Sequence, residues 1–321
     1  MTDSAPVRWG ILSTGGITNK LLAGAATTAT AEVVAVGSRS AARATAYAAT
    51  HGIERAHGSY EALLDDPDVE AVYIAVPNSL HHPLTMQALA AGKHVLCEKP
   101  YTSKPAEVDE AFDAADSAGL VLQEAFMWRH HPQADRLVEL VAEIGELHTI
   151  RAAFNFVLGD PDDIRLRADL DGGSLMDVGC YCVSGARLLT GEDPDEVYGT
   201  ATYSKSDVDV RFAGILRFPG GVVATITSGF TTDHRGLEAV GTEGWVRAID
   251  AWQAQPARIE RSDGSAIDYE WIDPYGRELE DMARAIRGEK PARLGRADAL
   301  GQARTIAALR QSAANGAPVR L

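Results

Sequence analysis

Residues 94–100 read His94-Val95-Leu96-Cys97-Glu98-Lys99-Pro100, a short apolar run ending in a glutamate, a lysine and a proline. Lysine is strongly hydrated and seldom closes a buried strand without a task. Ligands of open α/β sheets bind outside the carboxyl ends of the strands, so Lys99 is a candidate to act on a substrate. A second pair lies in Gly172-Gly173-Ser174-Leu175-Met176-Asp177-Val178-Gly179-Cys180-Tyr181. Asp177 and Tyr181 are four apart, about one helical turn (~5.4 Å), on a face distinct from the apolar Leu175, Met176 and Val178. A carboxylate and a phenol stacked this way can face a substrate hydroxyl. The same spacing would equally serve a helix dipole and a half-buried interface tyrosine.

Two further segments point to a nucleotide. Ser13-Thr14-Gly15-Gly16-Ile17-Thr18 follows an apolar run. Against the G-x-G-x-x-G fingerprint only Gly15 matches, the glycine that lets backbone approach a pyrophosphate. Ser13 and Thr18 depart from it. What remains is a strand, a tight turn and a helix N-terminus facing an anion. The second run is Val36-Gly37-Ser38-Arg39-Ser40. Folds that use NAD place an Asp or Glu here for the ribose 2′-hydroxyl. This chain has none; Ser38 and Ser40 offer hydroxyls and Arg39 can pair with a 2′-phosphate. NADP is the expected cofactor, with NAD a weaker fit.

The elements that must position these residues alternate. Apolar runs at 7–12, 32–37, 69–76, 94–98 and 120–125 are separated by helical patterns, which means βαβ units and a parallel sheet. Ser174 is read as the cap of one helix over 175–189. From residue 126 the pattern changes to longer alternating strands at 147–158, 197–204, 210–218, 222–231 and 237–241, with a hairpin turn at Pro219-Gly220-Gly221. Two helices close the chain, near 275–287 and 297–314. The expected division is therefore residues 1–125, dinucleotide-binding, and 126–321, substrate-binding and oligomerising.

Composition narrows the partners. The 321 residues carry a formal net charge of -15, which argues against nucleic acid or an anionic membrane surface. No run approaches the roughly 18 apolar residues of a membrane span. Residues 1–6 lack the basic start and apolar core of a signal peptide. The three cysteines, Cys97, Cys180 and Cys182, have no zinc-type spacing, and a reducing cytoplasmic setting is expected. His81-His82 and His130-His131 are adjacent pairs whose members point apart, so no metal site is expected.

Taken together, these motifs resemble the glucose–fructose oxidoreductase/inositol dehydrogenase/MocA family. The likeness runs nearly end to end, through the first turn, Pro77-Asn78-Ser79-Leu80-His81, Glu98-Lys99-Pro100, Glu124 to Pro132, Asp177 to Tyr181, and Leu300-Gly301-Gln302-Ala303. Tyr181 and Ser38-Arg39 are similar to the branch holding dimeric dihydrodiol dehydrogenases and NADP-dependent D-xylose dehydrogenases. The resemblance implies an N-terminal Rossmann domain, a doubly wound parallel sheet, and a C-terminal α+β domain with a large open, mostly antiparallel sheet that pairs subunits as a homodimer or homotetramer. It implies a catalytic Lys99, a cis Lys99–Pro100 bond, and contacts from Asn78 and His81 to the nucleotide. It also implies an Arg165 near the site.

With that family's chemistry, a hydride passes between nicotinamide and the carbon bearing a sugar, polyol or diol hydroxyl. Lys99, Tyr181 and Asp177 are the catalytic candidates, and whether Tyr181 or Lys99 carries the proton stays open. The cofactor candidates are Ser13, Thr14, Gly15, Gly16, Ile17, Ser38, Arg39, Pro77, Asn78, His81, Glu98 and Lys99. Arg165, Asp177 and Trp128 are weaker substrate contacts. An aldose dehydrogenase or keto-sugar reductase is the leading expectation, with a trans-dihydrodiol dehydrogenase as alternative. A cofactor-assisted lyase or glycosidase and a non-catalytic NADPH sensor are the rivals of another class.

Overall fold

The computed structural model describes residues 5–255 and 257–321. The chain forms two compact units. The first comprises Met1–Thr102, Ala106–His130 and Asp273–Ala299; the second comprises Ser103–Pro105, His131–Ile272 and Leu300–Leu321.

In the first unit, β1 (Val7–Leu12), α1 (Thr18–Ala25), β2 (Ala31–Gly37), α2 (Ala41–His51), β3 (Arg55–His57), α3 (Tyr60–Leu64), β4 (Ala71–Ile74), α4 (His81–Ala90), β5 (His94–Glu98), α5 (Pro105–Ala118) and β6 (Leu122–Ala125) follow in order. The six strands pair in parallel as β3-β2-β1-β4-β5-β6. The sequence reading expected five strands. It missed β3, three residues whose Arg55 and His57 hide any apolar pattern. Register sets the functional edge: Gly37, Leu12, Ile74 and Cys97 lie level across four strands. Ser38, Ser13, Ala75 and Glu98 therefore start the next row, at the carboxyl edge where such sheets bind ligands.

The second unit runs α6 (Pro132–Val141), β7 (Leu147–Val157), α7 (Cys180–Thr190), β8 (Glu196–Tyr203), β9 (Asp209–Arg217), β10 (Val223–Gly229), β11 (Thr231–Gly241), β12 (Trp245–Ile249), β13 (Arg258–Arg261) and β14 (Ala266–Asp268). The chain then gives α8 (Pro274–Ile286) to the first unit and returns through α9 (Arg296–Asn315) to β15 (Val319–Arg320). Nine strands form one sheet, β14-β13-β12-β11-β7-β10-β9-β8-β15, antiparallel except for β10 against β7. The hairpin at Pro219–Gly221 joins β9 to β10 as expected. Instead of ending near residue 231 and restarting at 237, the chain runs through as β11, because the polar stretch 231–235 still pairs with β7. Helix α7 covers β7, β10 and β11.

A single cut after residue 125 does not describe these units, because α8 packs on α1. A Cβ on Gly24 would lie 2.6 Å from the Tyr275 Cβ, and one on Gly276 would lie 2.2 Å from Thr27 Oγ1. Two facing glycines let the helices approach closely, and no local sequence feature announces that distant pairing. No helix among the described residues is long and apolar enough to cross a membrane.

Candidate functional site

The first unit holds a cleft of about 430 Å³ lined by Ser13, Thr14, Gly15, Ser38, Arg39, Ser40, Arg43 and Tyr60. Its floor is the turn after β1. Ser13 stands where the fingerprint has its first glycine, and it adopts φ 125°, a conformation favouring glycine. The hydroxyl offsets part of that strain: Gly15 N–H donates to Ser13 Oγ at 3.0 Å, and Ser13 N–H donates to Gly37 O at 3.0 Å. Thr18, at the third glycine's place, is fully buried and donates its hydroxyl to Gly15 O at 2.6 Å. The side chains that depart from the motif thus bond back to the turn itself, and Gly37 O on β2 takes the Ser13 amide.

The wall of the cleft is cationic and hydroxylic. Ser40 caps α2, accepting from Arg43 N, so a helix N-terminus and two guanidinium groups address the same space. Burial raises the Tyr60 pKa, while the hydrogen-bonded Arg39 guanidinium pulls it down. Among the described residues no carboxylate lines this cleft, and its donor set fits a nucleotide phosphate monoester. Arg43 and Tyr60 were not singled out from sequence. The signal for Arg43 was a second cation three residues past the Ser40 cap; for Tyr60 it was the first residue after the Ser59 cap.

The other nucleotide candidates do not line that cleft. Gly16 and Ile17 lead into α1, with Gly16 exposed. Pro77 and Asn78 follow β4, in the turn that enters α4. His81 is buried, its Nδ1 2.9 Å from Pro100 O and its Nε2 3.0 Å from Val76 O. It ties the loop after β4 to the loop after β5, and burial lowers its pKa despite those carbonyls. Glu98 accepts from the Tyr73 hydroxyl through Oε1 and from Lys99 N–H through Oε2 at 3.2 Å. Lys99 is half-buried, and the Lys99–Pro100 bond is cis, as the resemblance implied. Trp128 is 2% exposed and lies 5.7 Å from the Arg129 guanidinium carbon, so its ring is packed inside the unit.

In the second unit, Asp177 and Tyr181 do not sit on one α-helix over 175–189. Residues Leu175–Gly179 form a π turn, closed by the bond from Cys180 N–H to Leu175 O, and α7 begins after it. In an α-helix two residues four apart overshoot one turn by about 40°. The wider π turn holds more residues per turn and reduces that offset. Ser174 is not the cap either: it is helical and makes no side-chain cap bond. Asp209 at the start of β9 takes that place, accepting from Leu175 N–H at 2.7 Å and from the Ser174 hydroxyl at 2.6 Å.

Asp177 Oδ2 accepts from Arg165 Nε at 2.7 Å, and Arg165 also pairs with Asp163 at 3.2 Å. The expected Arg165 is therefore brought to Asp177, and those two carboxylates hold its pKa up despite burial, which acts the other way. The Tyr181 ring meets Phe154 edge-on at 5.2 Å and Trp252 at 6.0 Å, and Trp252 is pinned by its Nε1–H to Ala153 O at 2.7 Å. Aromatic packing fixes the ring plane.

Residues 7–126 match the profile of the Gfo/Idh/MocA oxidoreductase family with its NAD-binding Rossmann fold, and residues 135–247 match that family's C-terminal domain. The chain belongs to the Gfo/Idh/MocA family. It is 42% identical to D-xylose 1-dehydrogenase (NADP(+)) 2 of Haloferax volcanii, over 98% of this chain and 99% of that protein. It is 36% identical to the Mus musculus trans-1,2-dihydrobenzene-1,2-diol dehydrogenase, over 77% of this chain and 75% of that protein. A 3-ketoreductase from Actinomadura kijaniata, solved with NADP and TDP-benzene, superposes with a TM-score of 0.90 at 30% identity, covering 96% and 98% of the two chains. Members of the family named for sugar and diol oxidation or reduction thus surround this chain, which is an NAD(P)-dependent oxidoreductase.

Proposed function

We propose that this member of the family is an NADP-dependent aldose dehydrogenase of the D-xylose type. The observation that carries the cofactor choice is the Ser38, Arg39, Ser40, Arg43 and Tyr60 wall, which offers cations and hydroxyls and no carboxylate. The substrate class rests on 42% identity across 98% of the chain to an NADP-dependent D-xylose dehydrogenase.

The residues proposed to hold the cofactor are Ser13, Thr14 and Gly15 toward the pyrophosphate and Ser38, Arg39 and Arg43 toward the 2′-phosphate. When bound, NADP supplies the hydride acceptor. Tyr181 enters the step as its phenolate, and Oη takes the proton of the sugar hydroxyl while the hydride leaves carbon, a general-base role. Lys99 is the other proposed catalytic group, an ammonium that supplies positive charge to the reaction. Asp177, with one oxygen occupied by Arg165, orients a neighbouring sugar hydroxyl and leaves proton transfer to Tyr181. His81 acts on Lys99 through the backbone of the cis loop.

The test is absorbance at 340 nm with NADP and a panel of pentoses, hexoses, inositols and trans-dihydrodiols. Turnover of a pentose in preference to the others is expected. Preference for a dihydrodiol would move the substrate assignment to the other relative's chemistry. NADPH binding without turnover of any substrate, in either direction, would overturn the enzymatic reading.

A further inference from the structure

The segment that carries Asp177 and Tyr181 is held from outside itself. A helix is ordinarily capped by its own N-cap side chain. Here Ser174 gives its hydroxyl away to Asp209, and Asp209 Oδ2 receives both that hydroxyl and the Leu175 N–H. Ser228 Oγ stands 3.0 Å from Ser174 Oγ and completes the cluster. Asp209 is 7% exposed. Burying a carboxylate is costly unless it is hydrogen-bonded, and Oδ2 takes two bonds from the turn that starts the π segment. The preceding residue leaves no slack. Gly173 has φ 112°, and a Cβ on it would sit 2.2 Å from Asp209 Oδ1.

The far end is held as well. Gln302, on α9, donates Nε2–H to Cys180 O at 2.7 Å, one residue before Tyr181. Its Oε1 is buried with no hydrogen-bond partner among the described residues. An apolar side chain of that length would avoid leaving such an acceptor unmade, so the bond to Cys180 is what the amide contributes. A π turn is a rare conformation that persists where its surroundings enforce it. Asp209 and Gln302 grip it at Leu175 and Cys180, with Asp177 between the two grips and Tyr181 one residue past the second.

We propose that Asp209 and Gln302 are positioning residues for the reaction: together they fix the π turn at both ends and so set the directions of Asp177 and Tyr181. This rests on the catalytic reading of those two residues. Asp209 also lies within the field of Arg310, which pairs with Asp171 at 2.8 Å and with Ser103 Oγ at 3.0 Å. The carboxylate thus sits at a junction of the turn, β9 and α9.

The experiment compares Asp209→Leu, Asp209→Asn and Gln302→Met in the full-length protein, with three readouts: kcat, NADPH affinity by fluorescence titration, and amide hydrogen exchange over 175–181. Misplacing a reacting group by about 1 Å costs on the order of 10²-fold in rate. Asp209→Leu should lose kcat by about that factor with NADPH affinity unchanged. Asp209→Asn keeps an acceptor oxygen at the same place and should recover most of the rate. Gln302→Met removes the one bond and the unmade acceptor together, so Tm should move by less than about 3 °C while kcat falls about tenfold.

Lowered Tm with unaltered kcat in both Asp209→Leu and Gln302→Met would overturn the proposal. If the wild type turns over no substrate, the enzymatic reading fails on its own. Exchange still decides this one: faster exchange at 175–181 in Asp209→Leu than in wild type and Asp209→Asn supports the grip, and unchanged exchange overturns it.

Discussion

The turn after β1 and the turn before the π segment solve one problem in opposite ways. Each feeds a helix through a residue of positive φ, Ser13 at 125° and Gly173 at 112°. The first is stabilised mainly by its own side chains: Ser13 Oγ accepts from the Gly15 N–H and Thr18 donates to the Gly15 carbonyl, while the Ser13 N–H reaches Gly37 O on β2. The second draws its side-chain bonds from afar, from Asp209, 34 residues beyond Leu175, and Gln302, 122 beyond Cys180. The difference separates two tasks. An anion cradle needs only backbone amides and a helix N-terminus, which a short segment supplies by itself. The proton transfer proposed for Tyr181 needs one fixed direction, and the proposed grip of distant elements would impose it.

The sharpest break in the comparison is Tyr181→Phe. Loss of a general base typically costs 10²–10⁴-fold, so kcat should fall by roughly that range while NADPH affinity stays put. Equal loss in kcat and NADPH affinity would merge the two tasks. Arg39→Ala should do the reverse. Losing a charge-assisted hydrogen bond costs about 1.5–3 kcal/mol, so the KM for NADP should rise roughly 10- to 150-fold. The KM for NAD and the kcat should barely move, and parallel increases for both cofactors would sink the 2′-phosphate assignment.

The two turns also differ in what a single methyl group does. Gly173→Ala meets Asp209 Oδ1 and a forbidden φ together, so urea unfolding should show about 2–5 kcal/mol of lost stability. Ser13→Gly relieves backbone strain of about 1–3 kcal/mol and forfeits one hydrogen bond, so the net change should stay within about 1–2 kcal/mol. A large loss at Ser13 and none at Gly173 would reverse the contrast.

A pH-dependent effect comes from a buried carboxyl of the first unit. Glu278 on α8 is fully buried, and neither of its oxygens has a hydrogen-bond partner among the described residues. Burial, then the charges of Glu98 and Asp281, push its pKa well above the carboxylate range. The folded state keeps a proton that the unfolded chain releases. Glu278 therefore carries no pH-linked cost below the ordinary carboxylate pKa and removes stability as pH rises toward its folded value. Glu278→Met should gain about 1–3 kcal/mol over wild type at pH 8, shrinking toward pH 4. Thermal unfolding of both proteins across that range checks it, and parallel curves would contradict it.

Much of the first unit was legible because its information is local. Strand, glycine turn and helix follow one another, and the absence of a carboxylate at Ser38-Arg39 is a statement about adjacent residues. Lys99 could be placed because strand ends are visible in a hydrophobic pattern and parallel register brings those ends level. Arg43 and Tyr60 escaped because nothing in a linear pattern says that two capped helices share a wall. In the second unit the spacing of Asp177 and Tyr181 was legible, but its geometry was not. A π turn has no sequence period of its own, and its Ser174 looked like a cap when its hydroxyl was needed elsewhere.

By itself the sequence determined the alternation of the two sheets, the glycine turn after β1 and the residue types offered for the proposed proton transfer. These depend on backbone propensity, burial and side-chain chemistry over a few neighbouring positions. Tertiary structure alone decided that α8 completes the first unit, that Asp209 replaces Ser174 as the cap, and that Gln302 grips Cys180. Those are pairings between segments far apart in the chain. Loop closure grows costlier only slowly with length, so a fold recruits distant partners freely, and a single sequence carries no marker of which ones it recruits.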